Sequence, residues 1–555
     1  MRLNELILKN KYMNKFDNSK KWIDYLVVIV LYFAAYIFLP LNSGLFWDDW
    51  VWTGNSFSDY IIISQKLFAL KFPGVIMAFI YMIPPSIVRT VVFICYLIPG
   101  IILYRFCEVE GFKRLDRLFI VLFFLLIPLN LSKYTLSTSL YAFCYALFYI
   151  ATYIYIANIS NKYLFLRAIS LLFFIVSFSM NSLLVFFAIP YLYAFYKSSK
   201  NHQKNRPQTL GLNALHFVKS NFDYTALPFV FFGFKQFAMH TNPIYINGEY
   251  AKIAYNSIGL NNIVLSPIIS LLWLLRSFAD ALVKMTFSFY SLYGIGISVL
   301  AVILYVMFVD CKSENVKNIA KLKALVYLGL IAFFLGTFPY IAVGAFDVGN
   351  AINYEPFSSR NTILLSLGLA FVFYGSFALL EIKLRHLESL FDLAKIIIII
   401  SFISFNLSHG KDFYFDNIKH QSLIMQMANN NDIRNESVFL VKDETLELNA
   451  NNRKYVFYEF SGLFYKTFGD ETRMATYLSP TSYYELKDIF NSRNNLPYKI
   501  KESKYYRPSH IIVITKNNSF TGWFTCIMSI YNSFFNNAAY LKTVNNFVKI
   551  HVEKI

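Results

Sequence analysis

The sequence predicts a polytopic α-helical membrane protein of about 11 transmembrane helices with a C-terminal extracytoplasmic α/β domain. Three observations carry that reading. Of 555 residues, 56% are hydrophobic and only 15% charged, with 58 Phe and 41 Tyr, a composition outside the usual range of soluble domains. Apolar runs long enough to cross a bilayer recur through residues 25–408, separated by short basic stretches. From His409 onward Asn, Asp, Lys and Tyr interleave with short strand-like runs at 437–441, 455–460 and 511–515.

The net charge of +18 lies mostly in short loops between apolar runs, which points to membrane orientation rather than to nucleic acid. Residues 1–24 carry Arg2, Lys9, Lys11, Lys15, Lys20 and Lys21, so the positive-inside rule places them in the cytoplasm. The basic start followed by an apolar run resembles a signal peptide. No small-x-small cleavage site follows, however, and residues 25–41 read as an uncleaved first span.

Further spans are expected near 87–104, 118–132, 137–156, 164–179, 181–196, 223–239, 288–309, 323–343, 361–380 and 396–408. The basic segments 105–117 and 197–222 then fall inside, while 42–86, 240–287 and 344–360 become outer loops and 409–555 a soluble domain. Within the first loop, 61–70 and 72–85 suit helices lying in the interface. Arg276, Asp280 and Lys284 share one helix face, so 263–287 is expected as an amphipathic surface helix. Lys395 is expected to snorkel. The five Cys are scattered, with no CxxC pair and a single Cys, Cys526, in the C-terminal region, which argues against a disulfide framework.

The chemistry is expected at Phe46-Trp47-Asp48-Asp49-Trp50, just beyond the first span. Adjacent carboxylates among indole rings at headgroup depth suit acid–base work, although an interfacial Trp belt with a capping Asp would look the same. The loop 344–360 falls on the same side and ends at Arg360, whose guanidinium fork suits a phosphate at headgroup depth or ordinary snorkelling. Asp347 and Glu355 are candidate partners of Arg360, helix caps or substrate contacts. Arg89, at the outer end of the second span, is a second candidate phosphate ligand. Lys235 lies inside an apolar span, a functional position by default, and His240 beside it is either a base or a satisfied polar residue.

The inside N-terminus, the acidic pair in a long first outer loop, the many later spans and the C-terminal domain together resemble the GT-C superfamily of integral-membrane glycosyltransferases. That group includes protein O-mannosyltransferases, aminoarabinose transferases and bacterial enzymes that decorate O-antigen and other surface glycans. Phe338-Pro339-Tyr340-Ile341-Ala342-Val343-Gly344, then Ser359-Arg360, and later Tyr458-Glu459-Phe460-Ser461-Gly462 with Phe468-Gly469-Asp470, look like patterns of bacterial members. The resemblance implies a polyprenyl-phosphate-linked sugar as donor and an envelope glycan, such as O-antigen or lipopolysaccharide, as acceptor. It implies Asp48 or Asp49 as general base and Arg360 as the group that stabilises the departing phosphate. It also implies the bacterial inner membrane, with the C-terminal domain outside. The Asp-Asp pair departs from the Asp-Glu and Glu-Asp pairs common in the superfamily, which leaves open which Asp acts. A divalent metal between them is compatible with the pattern but not required by it.

Three other readings stay open at the level of sequence. A polysaccharide polymerase or ligase would rely on arginines of large outer loops. A flippase or transporter would show repeats related across the membrane, and a receptor or scaffold would bind without turnover.

Overall fold

The computed structural model describes residues 22–158, 163–205, 210–246, 318–342, 356–492, 499–517 and 522–555, with scattered helical positions between 268 and 304. Asp347, Glu355, Asp280 and Lys284 lie outside the described residues; Arg276 is described and helical.

Among the described residues, five helices are long and apolar enough to cross a membrane: Pro85–Val109, Leu136–Ala157, Ile319–Tyr340, Leu365–Lys383 and Arg385–Ala428. Shorter apolar helices occupy Trp22–Tyr36, Phe72–Met82 and Leu164–Ser177. The protein is thus a helical membrane protein.

The first helix is tied to its neighbours at its basic end, where buried Asp24 accepts from Tyr104 and pairs with Arg114, both at 2.6 Å. Further along, Tyr32 and Phe93 pack ring against ring at 4.7 Å. The helices Ile319–Ala342 and Leu365–Lys383 pack closely against each other. A Cβ on Gly368 would sit 2.5 Å from the Phe333 backbone nitrogen, and one on Gly329 would sit 2.8 Å from the Gly368 carbonyl. Glycine lets these two backbones touch, the means by which membrane helices gain packing without a hydrophobic drive.

Between the first helix and Pro85, two helices, Phe57–Phe68 and Phe72–Met82, stand where interfacial helices are expected. The first opens on a capping box: the Ser56 hydroxyl accepts from the Asp59 N–H, and the Asp59 carboxylate accepts from the Ser56 N–H at 2.9 Å. It stops where Ala69 turns left-handed at φ +60°.

Two expectations are corrected by the helix Glu388–Ala428, which runs 41 residues without a break. The boundary expected at His409 falls inside it, because polar residues there face protein: Asn406, His409, Asp416, Asn417, Lys419 and His420 are all buried. Lys395 does not snorkel but is buried against Glu381 and Asp392, each at 3.1 Å.

The C-terminal region forms a four-stranded sheet of β1 (Val438–Asp443), β2 (Met474–Tyr477), β3 (His510–Lys516) and β4 (Val548–Lys554), ordered β2-β1-β3-β4. β1 pairs parallel with β2 and β3, and β4 is antiparallel to β3. Two of the three strand-like runs are strands. The third is not: Phe457 opens the helix Phe457–Phe468, because Glu459 turns back to accept the Val456 N–H at 2.9 Å. With the Glu459 N–H donating back to the Val456 carbonyl at 2.9 Å, that contact makes a helix start out of a run whose aromatic content favours a strand.

Two buried ion clusters fasten the long helix to this sheet unit. Lys419 donates to Asp443 at 2.7 Å, to Asn449 at 2.7 Å and to the Thr445 carbonyl. Asp416 accepts from Tyr455 at 2.6 Å and from the Ala450 N–H, and pairs with Arg453 at 3.3 Å. Buried pairs of this kind hold their geometry firmly, since losing one partner strands a buried charge.

Candidate active site

The two acids of the pentad have different surroundings. Asp49 is fully buried. Its Oδ1 accepts from the Ser137 N–H at 2.9 Å and the Tyr81 hydroxyl at 3.4 Å, and its Oδ2 from the Leu136 N–H at 3.0 Å and the Phe46 N–H at 3.1 Å. Arg89 stands 3.9 Å from Oδ2. Four donors fill the roughly four acceptor positions a carboxylate offers. Burial pushes its pKa up to about 6, against the pull of Arg89 and the three N–H groups.

Asp48, by contrast, is only partly covered and accepts a hydrogen bond from the Tyr458 hydroxyl at 3.2 Å. The geometry therefore separates the pair: Asp49 organises the loop, and Asp48 presents a carboxylate to the surroundings. With the oxygens of Asp49 already taken, the pair does not suit a bridging divalent metal, and no group of three or more metal-ligating side chains occurs among the described residues.

Arg89 is placed beside the acids, but not as a surface phosphate ligand. It is fully buried, and its guanidinium donates to the carbonyls of Tyr134 at 2.8 Å, Asn42 at 2.8 Å and Gly44 at 2.6 Å. This is the work of a clamp that fixes the entry to the pentad.

The pentad also leans on the C-terminal unit. Trp47 has φ +47°, a strained conformation for a bulky residue that costs on the order of 1–3 kcal/mol. Glu459 holds it there by accepting the Trp47 N–H at 3.0 Å, while Arg453 lies 4.4 Å above the Trp47 ring and pairs with Glu459 at 2.6 Å. Trp50 packs against Gly462, where a Cβ would come within 2.7 Å of the indole. The run Tyr458–Gly462 thus touches Trp47, Asp48 and Trp50 through three of its residues. Sequence reading singled out both stretches but had no means of joining them.

Arg360 lies in the 3-10 segment Pro356–Thr362, whose Ser359 bonds the chain segment that also reaches Asp49. Ser359 Oγ accepts the N–H groups of Leu131 and Ser132 at 2.8 and 3.1 Å. The same segment, four residues on, supplies the Leu136 and Ser137 N–H groups to Asp49. From Ser132 to Leu136 the chain spans at most about 14 Å, and a 3-10 turn at Ser132–Tyr134 shortens it.

Between this segment and the chain after Arg360 lies a cavity of about 30 Å³ with a mixed lining, Asn130, Lys133 and Thr362 on its polar side and Phe124, Leu125 and Ile363 on its apolar side among others. It is room for about one water. Lys133 is the residue sequence reading missed. It is buried, donates to the Tyr36 hydroxyl at 2.9 Å and lies 4.1 and 5.0 Å over the Tyr36 and Tyr96 rings. No carboxylate among the described residues pairs with it, and burial pushes its pKa down to about 7. Its only sequence signal is a lone Lys in a short turn between two apolar runs.

Lys235 and His240 are not brought to the acids by any contact among the described residues. Lys235 is buried and donates to the Asn181 side chain. His240 is exposed and contacts the Gln236 carbonyl of its own helix through Nδ1 at 2.8 Å. A second, apolar cavity of about 130 Å³, lined by Leu103, Cys107, Phe148 and Leu325 among others, lies toward the far end of helix Pro85–Val109 from Arg89.

Fold and site together define a membrane-embedded helical protein whose first loop is locked to a C-terminal sheet unit around an acidic pair. No family model matches this sequence, and neither a curated protein nor a solved structure does.

Proposed function

We propose that this protein is a membrane glycosyltransferase that moves a sugar from a polyprenyl-phosphate-linked donor to a cell-envelope glycan. The observation that carries the reading is the division of labour in the pentad: a saturated, buried Asp49 and a partly exposed Asp48 oriented by Tyr458. In this reading the chain crosses the bacterial inner membrane about 11 times, with the N-terminus cytoplasmic and the C-terminal unit outside.

Asp48 takes the proton from an acceptor hydroxyl as its oxygen bonds to the anomeric carbon, and the bond from that carbon to the lipid phosphate breaks. The departing phosphate carries the charge that needs compensation. Arg89 is held by three carbonyls and Arg453 by Glu459 and Asp416, so that role falls in this reading to Arg360 and Lys133, on segments joined through Ser359.

The test is sugar transfer by the purified full chain in lipid, supplied with polyprenyl-phosphate sugars and envelope glycan and followed by mass spectrometry. Asp48→Asn should abolish transfer while the protein still purifies as a single species. Undiminished transfer by that variant would overturn the assignment.

A further inference from the structure

The helix Trp523–Phe535 presents a face that no other described element covers. Phe524, Ile527, Met528, Tyr531, Phe534 and Phe535 are 68, 55, 38, 54, 66 and 75% exposed. Their spacing of three and four residues sets them on one stripe. The opposite stripe holds buried Cys526 and Ser529. The helix, WFTCIMSIYNSFF, contains no charged residue, so water is a poor solvent for this face.

Its level relative to the bilayer follows from two contacts. The Trp523 ring lies 6.1 Å from the Phe38 ring, and Phe38 stands 16 positions beyond Trp22, where the described first helix begins. At 1.5 Å per residue that is a climb of about 24 Å, against a hydrocarbon core about 30 Å thick. On the other side, the Lys411 ammonium lies 5.2 Å from the Trp523 ring. Lys411 follows the apolar run Ile396–Leu407 of the long helix, where a membrane helix meets the headgroups. Both neighbours put the start of Trp523–Phe535 at one membrane surface, the surface to which the first span delivers the pentad.

We infer that helix Trp523–Phe535 lies in that membrane interface, with its Phe524–Phe535 stripe sunk at the boundary of headgroups and acyl chains. The partner is lipid. The C-terminal region is then not a free soluble domain but a unit pinned to the bilayer, which holds Tyr458 and Glu459 at headgroup depth above the pentad. This inference rests on the membrane reading alone and is independent of the proposed sugar transfer.

The experiment places single thiols in the full chain reconstituted in lipid nanodiscs containing one copy each. Phe534→Cys and Ile527→Cys are compared with Tyr484→Cys, which is 68% exposed on the sheet unit, and the unmodified chain supplies the background of native thiols. A charged, membrane-impermeant maleimide should label positions 534 and 527 at least about tenfold more slowly than 484, and a lipid-soluble maleimide should remove that difference. Equal labelling of all three by the charged reagent would overturn the inference. So would slow labelling at 534 and 527 only in discs holding two copies, because a second chain would then be the cover.

Discussion

The Trp47 backbone N–H donates to Glu459 Oε1 at 3.0 Å, joining positions 412 residues apart. This one bond holds a left-handed tryptophan next to Asp48 and ties the first loop to the C-terminal unit. Glu459 also accepts from Arg453 and from the Val456 N–H. Glu459→Ala would strand all three donors and leave Arg453 with Asp416 as its remaining acid. A loss of about 3–5 kcal/mol is expected, read as a large drop in melting temperature in detergent. Glu459→Gln, which keeps one of the two acceptor oxygens, should lose clearly less.

The two acids of the pentad should respond differently to the same change. Asp49→Asn sets an NH₂ group against donors that now find a carboxylate oxygen, and a loss of about 2–4 kcal/mol follows from the stranded N–H groups. Asp48→Asn, at a partly exposed side chain whose amide oxygen can still accept from Tyr458, should lower the melting temperature clearly less than Asp49→Asn. Equal melting temperatures for the two variants would refute the separation of roles.

Gly462 offers a test of the loop-to-unit contact that touches no charge. A Cβ there meets Trp50 at 2.7 Å, and Gly462→Val should destabilise by about 1–3 kcal/mol through overpacking. The same argument applies to Gly368→Val between the two glycine-matched spans. A thermal shift measured for each in detergent decides whether the approaches are as close as described.

Lys133 makes stability depend on pH in a direction opposite to a paired lysine. Its folded pKa, pushed down to about 7 by burial, lies below the unfolded value of about 10.4, so between those values the unfolded chain binds more protons and stability rises with pH. The penalty is fully present below pH 7 and relieved as pH climbs toward 10, by up to about 4 kcal/mol. Lys133→Met should remove this rise, so the melting temperatures of parent and variant converge from pH 7 to pH 9. If Lys133 also meets the lipid phosphate, the variant loses transfer while gaining stability at pH 7.

Much of this protein was legible residue by residue. Long apolar runs report spans because a chain in lipid must satisfy its own backbone, and that demand is local. The pentad stood out because charge next to aromatic residues at a membrane surface is costly to keep. Local patterns failed where a distant partner changed what they mean. Tyr455–Phe460 reads as a strand until Glu459 folds back as a cap, and the polar turn of composition at His409 reads as a domain boundary until the residues that bury it are in place.

The roles of individual charges belonged wholly to the folded chain. Arg89 looks like a surface cation in one dimension, yet three carbonyls from residues 42, 44 and 134 surround it. Asp48 and Asp49 are identical neighbours on paper, and only the arrival of three donors from other parts of the chain, beside the pentad's own Phe46 N–H, makes one a scaffold. Composition and periodicity settle what a segment is dissolved in, because solvation is summed over adjacent residues. Which carboxylate is saturated depends on hydrogen bonds between stretches that the order of amino acids does not bring together.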